Sequence, residues 1–136
     1  MNPVVHFEMP YENRERMAKF YESAFNWEMQ MLGEDMGNYV IAMTTESDKD
    51  GPKKPGAING GFFPKQSAPQ GQHPSLVIAV DNIHESMEKV KQAGGQVHGE
   101  PMDIPGVGPF VSFTDTEGNR VSLLQPSRNW QEPKKE

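Results

Sequence analysis

Apolar positions recur along the chain with two different periods. Met17, Phe20, Tyr21, Ala24 and Phe25 fall at i, i+3, i+4, i+7 and i+8, which predicts one apolar stripe on a helix entered after Asn13. Ile83, Met87, Val90 and Ala93 trace a similar face on a second helix, where Asn82 followed by Glu85 makes a capping-box-like start and Gly94-Gly95 a stop. Short runs with strand character flank both helices. Val4 to Met9 and Leu76 to Val80 precede them; Trp27 to Leu32 and Gln96 to Met102 follow, then Tyr39 to Thr44 and Phe110 to Asp115, then Ala57 to Phe63 and Arg120 to Gln125. Met17-Ala18-Lys19-Phe20 superposes on Met87-Glu88-Lys89-Val90 at an offset of about 70 residues, and the flanking runs keep that offset. The chain therefore reads twice as strand, helix, strand, strand, strand.

That order predicts an α+β fold of two βαβββ modules, residues 3–63 and 75–126 of a single domain, with a linker at 64–74 and a tail at 127–136. Gly33 to Gly37 and Asp115 to Asn119 are read as hairpin connections, the second with Gly118 free to take a positive φ. The stretch 45–56 is charged and rich in Pro and Gly, and is expected to be a long mobile loop. The tail, which holds Trp130, shows no periodicity. A four-stranded sheet with one helix has only one face covered, so the other must meet a partner or a ligand. Two such modules side by side are expected to curve into an open half-barrel cup, with the helices outside.

Composition narrows the function classes. The chain has 136 residues and no cysteine, which excludes disulfides, thiolate metal sites and a cysteine nucleophile. Lys and Arg number 13 against 19 Asp and Glu, a net charge of −6, so the basic footprint of a nucleic-acid binder is missing. Leu, Ile, Val and Phe are scarce, and the 9 Met, 3 Tyr and 2 Trp supply part of the missing apolar volume. The 13 Gly and 12 Pro point to a turn-rich domain. No apolar run is long enough to span a membrane. Met1 to Glu8 lacks the basic and apolar regions of a secretory signal, so a cytoplasmic location is expected.

The motifs that accompany this duplication are His6-Phe7-Glu8-Met9-Pro10 leading into Arg16-Met17-Ala18-Lys19-Phe20-Tyr21, and Ala24-Phe25-Asn26-Trp27. The second half carries Val80-Asp81-Asn82-Ile83, Ala93-Gly94-Gly95, Ile104-Pro105-Gly106-Val107-Gly108 and Thr114-Asp115-Thr116-Glu117-Gly118-Asn119. In their order and spacing, from Val4 to Gln125, these motifs resemble the vicinal oxygen chelate superfamily of glyoxalases, bleomycin resistance proteins and extradiol dioxygenases. The resemblance implies one of two things: an enzyme that chelates vicinal oxygens on a divalent metal at the centre of the cup, or a metal-free protein that sequesters a drug-like molecule. It also favours a homodimer.

The resemblance places a metal ligand at His6 on the first strand and a glutamate four residues after the hairpin glycine, a position that Ser122 occupies here. A serine hydroxyl is a poor replacement for a carboxylate, and Gln125 lies on the opposite strand face. In the second half the first-strand position falls on Ser75 or, with a two-residue shift, on His73, which reads as a linker histidine. Too few donors remain for a site with three protein ligands, so no cofactor is expected and a divalent metal is disfavoured. Independently of family, His6 and Glu8 share a strand face and form the one acid-base pair available for catalysis there. Tyr39, Ile41 and Met43 share the face of another strand, and with Phe62, Phe113 and Ser122 are expected to line the cup as a small-molecule site. The function expected is therefore small-molecule binding, sequestering or sensing a toxic compound. The alternative is a metal-dependent lyase, isomerase or dioxygenase with an atypical site built on His6.

Overall fold

The computed structural model describes residues 1–127, apart from the side chain of Gln70. The elements run in the order β1 (Val4–Tyr11), α1 (Arg14–Phe25), β2 (Glu28–Met31), β3 (Val40–Met43), β4 (Ser47–Asp48), β5 (Gly51–Pro52), β6 (Asn59–Pro64), β7 (Ser75–Ala79), α2 (Ile83–Gln92), β8 (Gln96–Ile104), β9 (Gly108–Thr114) and β10 (Arg120–Leu124). Short 3-10 turns occupy Glu34–Met36 and Pro69–Gly71. With the β4/β5 hairpin set aside, the order is βαβββ written twice, an α+β fold. Contacts divide the chain into two compact units, one of residues 5–76 and one of residues 1–4 with 77 onward.

In the first unit the strand order is β2-β3-β6-β1, with β1 parallel to β6 and the other pairs antiparallel. Asn13 starts α1: its backbone is extended and its side chain accepts a hydrogen bond from Arg16 N at 2.9 Å. Asn26, left-handed at φ 61°, ends the helix and turns Trp27 back to lie stacked on Tyr21, ring centroids 4.7 Å apart. The core under α1 is Val40, Ala42 and Phe62, with Phe7, Met9, Met17 and Tyr21 packed against it. The stripe predicted for this helix is rotated in the structure. Ala18 is buried, and Phe20 and Phe25 are each 58% exposed. At the start of the helix Arg14 donates from Nη1 to Leu32 O at 2.9 Å.

The stretch 45–56, expected to be a loop, contains the β4/β5 hairpin, with Ser47 opposite Pro52 and Asp48 opposite Gly51. Asn59 anchors it: its Oδ1 accepts from Thr44 N and Thr45 N at 2.8 and 3.3 Å, and its Nδ2 donates to Ser47 Oγ at 2.8 Å.

In the second unit the order is β7-β10-β9-β8, with β9 antiparallel to both neighbours. Asn82 caps α2 through Glu85 N at 3.1 Å, and Gln125 Oε1 accepts from Ile83 N at 2.9 Å, so two of the orphan donors of the first turn are satisfied. Ile83 and Met87 are buried with Val80, Val111, Phe113 and Leu123, and Val90 packs against them. β8 runs past the predicted Met102 to Ile104 because an irregularity between His98 and Met102 absorbs a register shift. The β9/β10 turn is built on Asp115, whose carboxylate accepts from Glu117 N, Asn119 N and Asn119 Nδ2 at 2.8, 2.8 and 3.0 Å. These bonds, first those from Asn119, hold the exposed Asp115 carboxyl below its ordinary pKa. The tail beyond Ser127, with Trp130, lies outside the described residues.

Candidate functional site

Strand alternation gives the sheet of the first unit two chemically different faces. Phe7, Met9, Val40, Ala42 and Phe62 belong to the cluster under α1, so His6, Glu8, Tyr39, Ile41, Met43 and Gly61 fall on the face away from the helix. His6 lies opposite Asn59, and Glu8 opposite Gly61. Across the sheet, Tyr39 Oη donates to Glu8 Oε2 at 3.0 Å. A Cβ on Gly61 would collide with the Tyr39 ring and hydroxyl, so the absence of a side chain at 61 is what lets the tyrosine lie over the strand and reach the carboxylate.

Electrostatics follow from burial. Glu8 is 8% exposed. Burial first, then the adjacent Glu8 charge and hydrogen bond, pushes Tyr39 well above its ordinary 10.0, so it remains a neutral donor. Burial also lowers the pKa of His6 from 6.5, which leaves its imidazole neutral at pH 7. This face thus presents a neutral imidazole and a carboxyl group held by a phenol, beside the half-buried Ile41 and Met43.

The remaining candidates are placed elsewhere. Phe62 lies in the core under α1 and Phe113 in the core under α2, so neither shares a face with Tyr39 or Ser122. Alternation gave two possible faces for each phenylalanine, and helix packing chose the inner one. Ser122 is fully buried on the sheet face away from α2, with its Oγ 3.1 Å from Ser112 Oγ. His73 is exposed and precedes β7. Among the described residues no three His, Cys, Asp or Glu side chains come together as a metal-binding group.

A cavity of about 460 Å³ escaped the sequence reading altogether; it is lined by Phe7, Met9, Trp27, Ile58, Ser75 and Leu76, with Thr44 and Pro74. These residues are scattered over five chain segments. Gly60-Gly61 within a strand pattern was the one local signal of close approach nearby: a Cβ on Gly60 would strike the backbone and ring of Phe7.

Residues 4–123 match the Glyoxalase/Bleomycin resistance protein/Dioxygenase superfamily. The chain belongs to that superfamily. A glyoxylase-like domain-containing protein of Didymella fabae is 30% identical over 118 residues, 85% of this chain and 88% of that one. CFP32 of Mycobacterium bovis, whose name marks it as a candidate glyoxylase, is 32% identical over 90 residues. That match covers 66% of this chain but 31% of CFP32, so the chain spans about a third of the length of that relative. Among solved structures, a hypothetical protein of Bacillus halodurans superposes with a TM-score of 0.68 at 15% identity, covering 96% of this chain and 99% of that one. Methylmalonyl-CoA epimerase of Mycobacterium tuberculosis superposes with a TM-score of 0.63 at 11% identity, covering 92% and 88%. At such identities these two structures establish the fold of this superfamily member and nothing finer. No helix of the described residues is long and apolar enough to cross a membrane.

Proposed function

We propose that this superfamily member binds a small molecule on the face of the residue 5–76 sheet that carries Glu8 and Tyr39, without the family's usual metal, and that it sequesters or senses a toxic compound. The observation that carries this reading is the partly buried hydrogen bond from Tyr39 to Glu8 at 3.0 Å. A carboxyl group taken out of water is costly unless it is hydrogen-bonded, and this one is held by a side chain 31 residues away over a strand cleared for the purpose at Gly61. Such a group suits a ligand bearing a cationic or hydrogen-donating centre. Ser122, bonded to Ser112, supports the metal-free reading by occupying the position where the family resemblance expects a glutamate.

A second reading, a lyase, isomerase or dioxygenase with an atypical metal site on His6, is favoured by one observation: burial keeps the imidazole in the neutral form that metals bind. Elemental analysis of the purified protein, followed by thermal-shift screening against a compound library with and without divalent metals, separates the two. The binding reading expects substoichiometric metal and a ligand-dependent rise in Tm that is lost in Glu8→Gln. Stoichiometric Fe, Mn, Ni or Zn that disappears in His6→Ala would overturn it. A homodimer is part of the proposal, and light scattering at the concentration of the screen tests it.

A further inference from the structure

Alternation gives the sheet of the second unit a face away from its helix as well. Val97, Val111, Phe113, Val121 and Leu123 pack under α2, so the residues that alternate with them in β8, β9 and β10 fall on the opposite face. The strand registers set those residues out in rows. Thr114 stands between Gln96 and Arg120, Ser112 between His98 and Ser122, and Phe110 between Met102 and Leu124. The face is therefore polar toward the β9/β10 turn and apolar at its other end.

Charge at the polar end has one sign. Of the six side chains in the first two rows Arg120 supplies the one permanent charge, and none is an acid, in a chain whose net charge is −6. Glu100, the nearer acid of β8, falls inside the irregular stretch between His98 and Met102, outside the three rows. The Asp115 carboxylate is taken up by its own turn.

Hydrogen-bond donors are aligned on this face. Arg120 Nη2 donates to Ser112 Oγ at 3.4 Å, and Ser112 Oγ lies 3.1 Å from the buried Ser122 Oγ, so the guanidinium leans from its own row toward the middle one. His98 is exposed, with Nε2 2.6 Å from Thr114 Oγ1, and that pair offers an N–H or O–H beside the guanidinium. A guanidinium is a planar fork of donors that matches the two oxygens of a carboxylate. A phosphate monoester, with close to two charges at pH 7, asks for more positive charge than one arginine supplies. From the middle row the Phe110 row lies two residues along the strands, about 7 Å away, the reach of an acyl chain of about six carbons. Met102 in that row is 69% exposed.

We propose that this face binds a small amphipathic monocarboxylate, with its carboxylate on Arg120 and the Thr114–His98 pair and its apolar chain against Met102 and Phe110. The site lies in the second unit, whereas the Glu8 face belongs to the first and presents a carboxyl group of its own.

Calorimetric titration of the full chain with hexanoate, 1-hexanol, acetate and inorganic phosphate tests this, with NMR shifts to place the bound probe. Hexanoate is expected to bind saturably, with shifts centred on His98, Thr114 and Met102. Its affinity is expected to exceed about tenfold that of 1-hexanol, which keeps the chain and loses the charge, and that of acetate, which keeps the charge and loses the chain. Arg120→Gln removes the preference for hexanoate over 1-hexanol; Arg120→Lys, which keeps the charge without the fork, retains part of it. Met102→Glu, at an exposed position where the fold tolerates a charge, removes the advantage of hexanoate over acetate. The proposal is overturned if hexanoate does not bind saturably, if 1-hexanol binds as well, or if either Arg120→Gln or Met102→Glu leaves its preference intact. Tighter binding of phosphate than of hexanoate, or shifts centred on Glu8 and Tyr39, would overturn it equally.

Discussion

Tyr39 reaches Glu8 across a strand position that has no side chain, and the bond depends on that gap. Gly61→Ala places a methyl group against the phenol ring, so the tyrosine must swing away or the strand must shift. Overpacking of this kind costs about 1–3 kcal/mol, and a urea titration of Gly61→Ala beside Tyr39→Phe measures it. The alanine variant is expected to be the less stable of the two, because it loses the bond and adds strain. pH dependence follows from the same residues. Tyr39 has a folded pKa raised above its ordinary 10.0, so its contribution to stability is complete below that pH and is lost as pH climbs beyond it; Tyr39→Phe should flatten the alkaline limb of a Tm profile. His6 has a folded pKa lowered below 6.5, so the unfolded chain takes up the proton first and stability falls as pH drops below 6.5. His6→Asn should flatten that acid limb.

At the scale of elements, what could be read from the sequence is what short-range chemistry decides. Asn13 and Asn82 announce the two helices because an N-cap needs only the residue three positions on, and both side chains accept that N–H, at 2.9 and 3.1 Å. Asn13→Ala and Asn82→Ala should each cost about 1 kcal/mol in thermal or denaturant unfolding. Helix rotation was less legible. Phe20 and Phe25 satisfy the periodicity of α1 as well as Met17 does, yet both stand 58% exposed, and Tyr21 of the same stripe is stacked on Trp27, a residue beyond the helix that its periodicity does not include. The β4/β5 hairpin was hidden by its charged, Pro/Gly-rich composition, because its anchor is Asn59, 12 residues beyond Ser47. The fold, then, was largely legible, and the candidate site only in part. His6 and Glu8 could be paired by their spacing of two, but the partnership of Glu8 with Tyr39 and the inward burial of Phe62 and Phe113 depend on which strands become neighbours.

Across the whole molecule the duplication is regular in its backbone and uneven in its chemistry. The unit of residues 5–76 gathers the aromatic cluster of Phe7, Tyr21, Trp27 and Phe62 together with Glu8 and Tyr39, while the buried core cluster of the second unit is mainly aliphatic, Val80, Ile83, Val111 and Leu123 with Met87 and a single aromatic, Phe113. The second unit also holds a turn closed largely by one side chain. Asp115 ties β9 to β10 through three hydrogen bonds that all close within four residues, so these contacts require almost no loop-closure entropy before they form. The consequence is kinetic: this hairpin is expected to be in place at the transition state for folding, ahead of the long-range pairing of β1 with β6. Stopped-flow measurements on Asp115→Ala should therefore show slower refolding with little change in the unfolding rate. The turn would then act as the seed on which the second unit condenses.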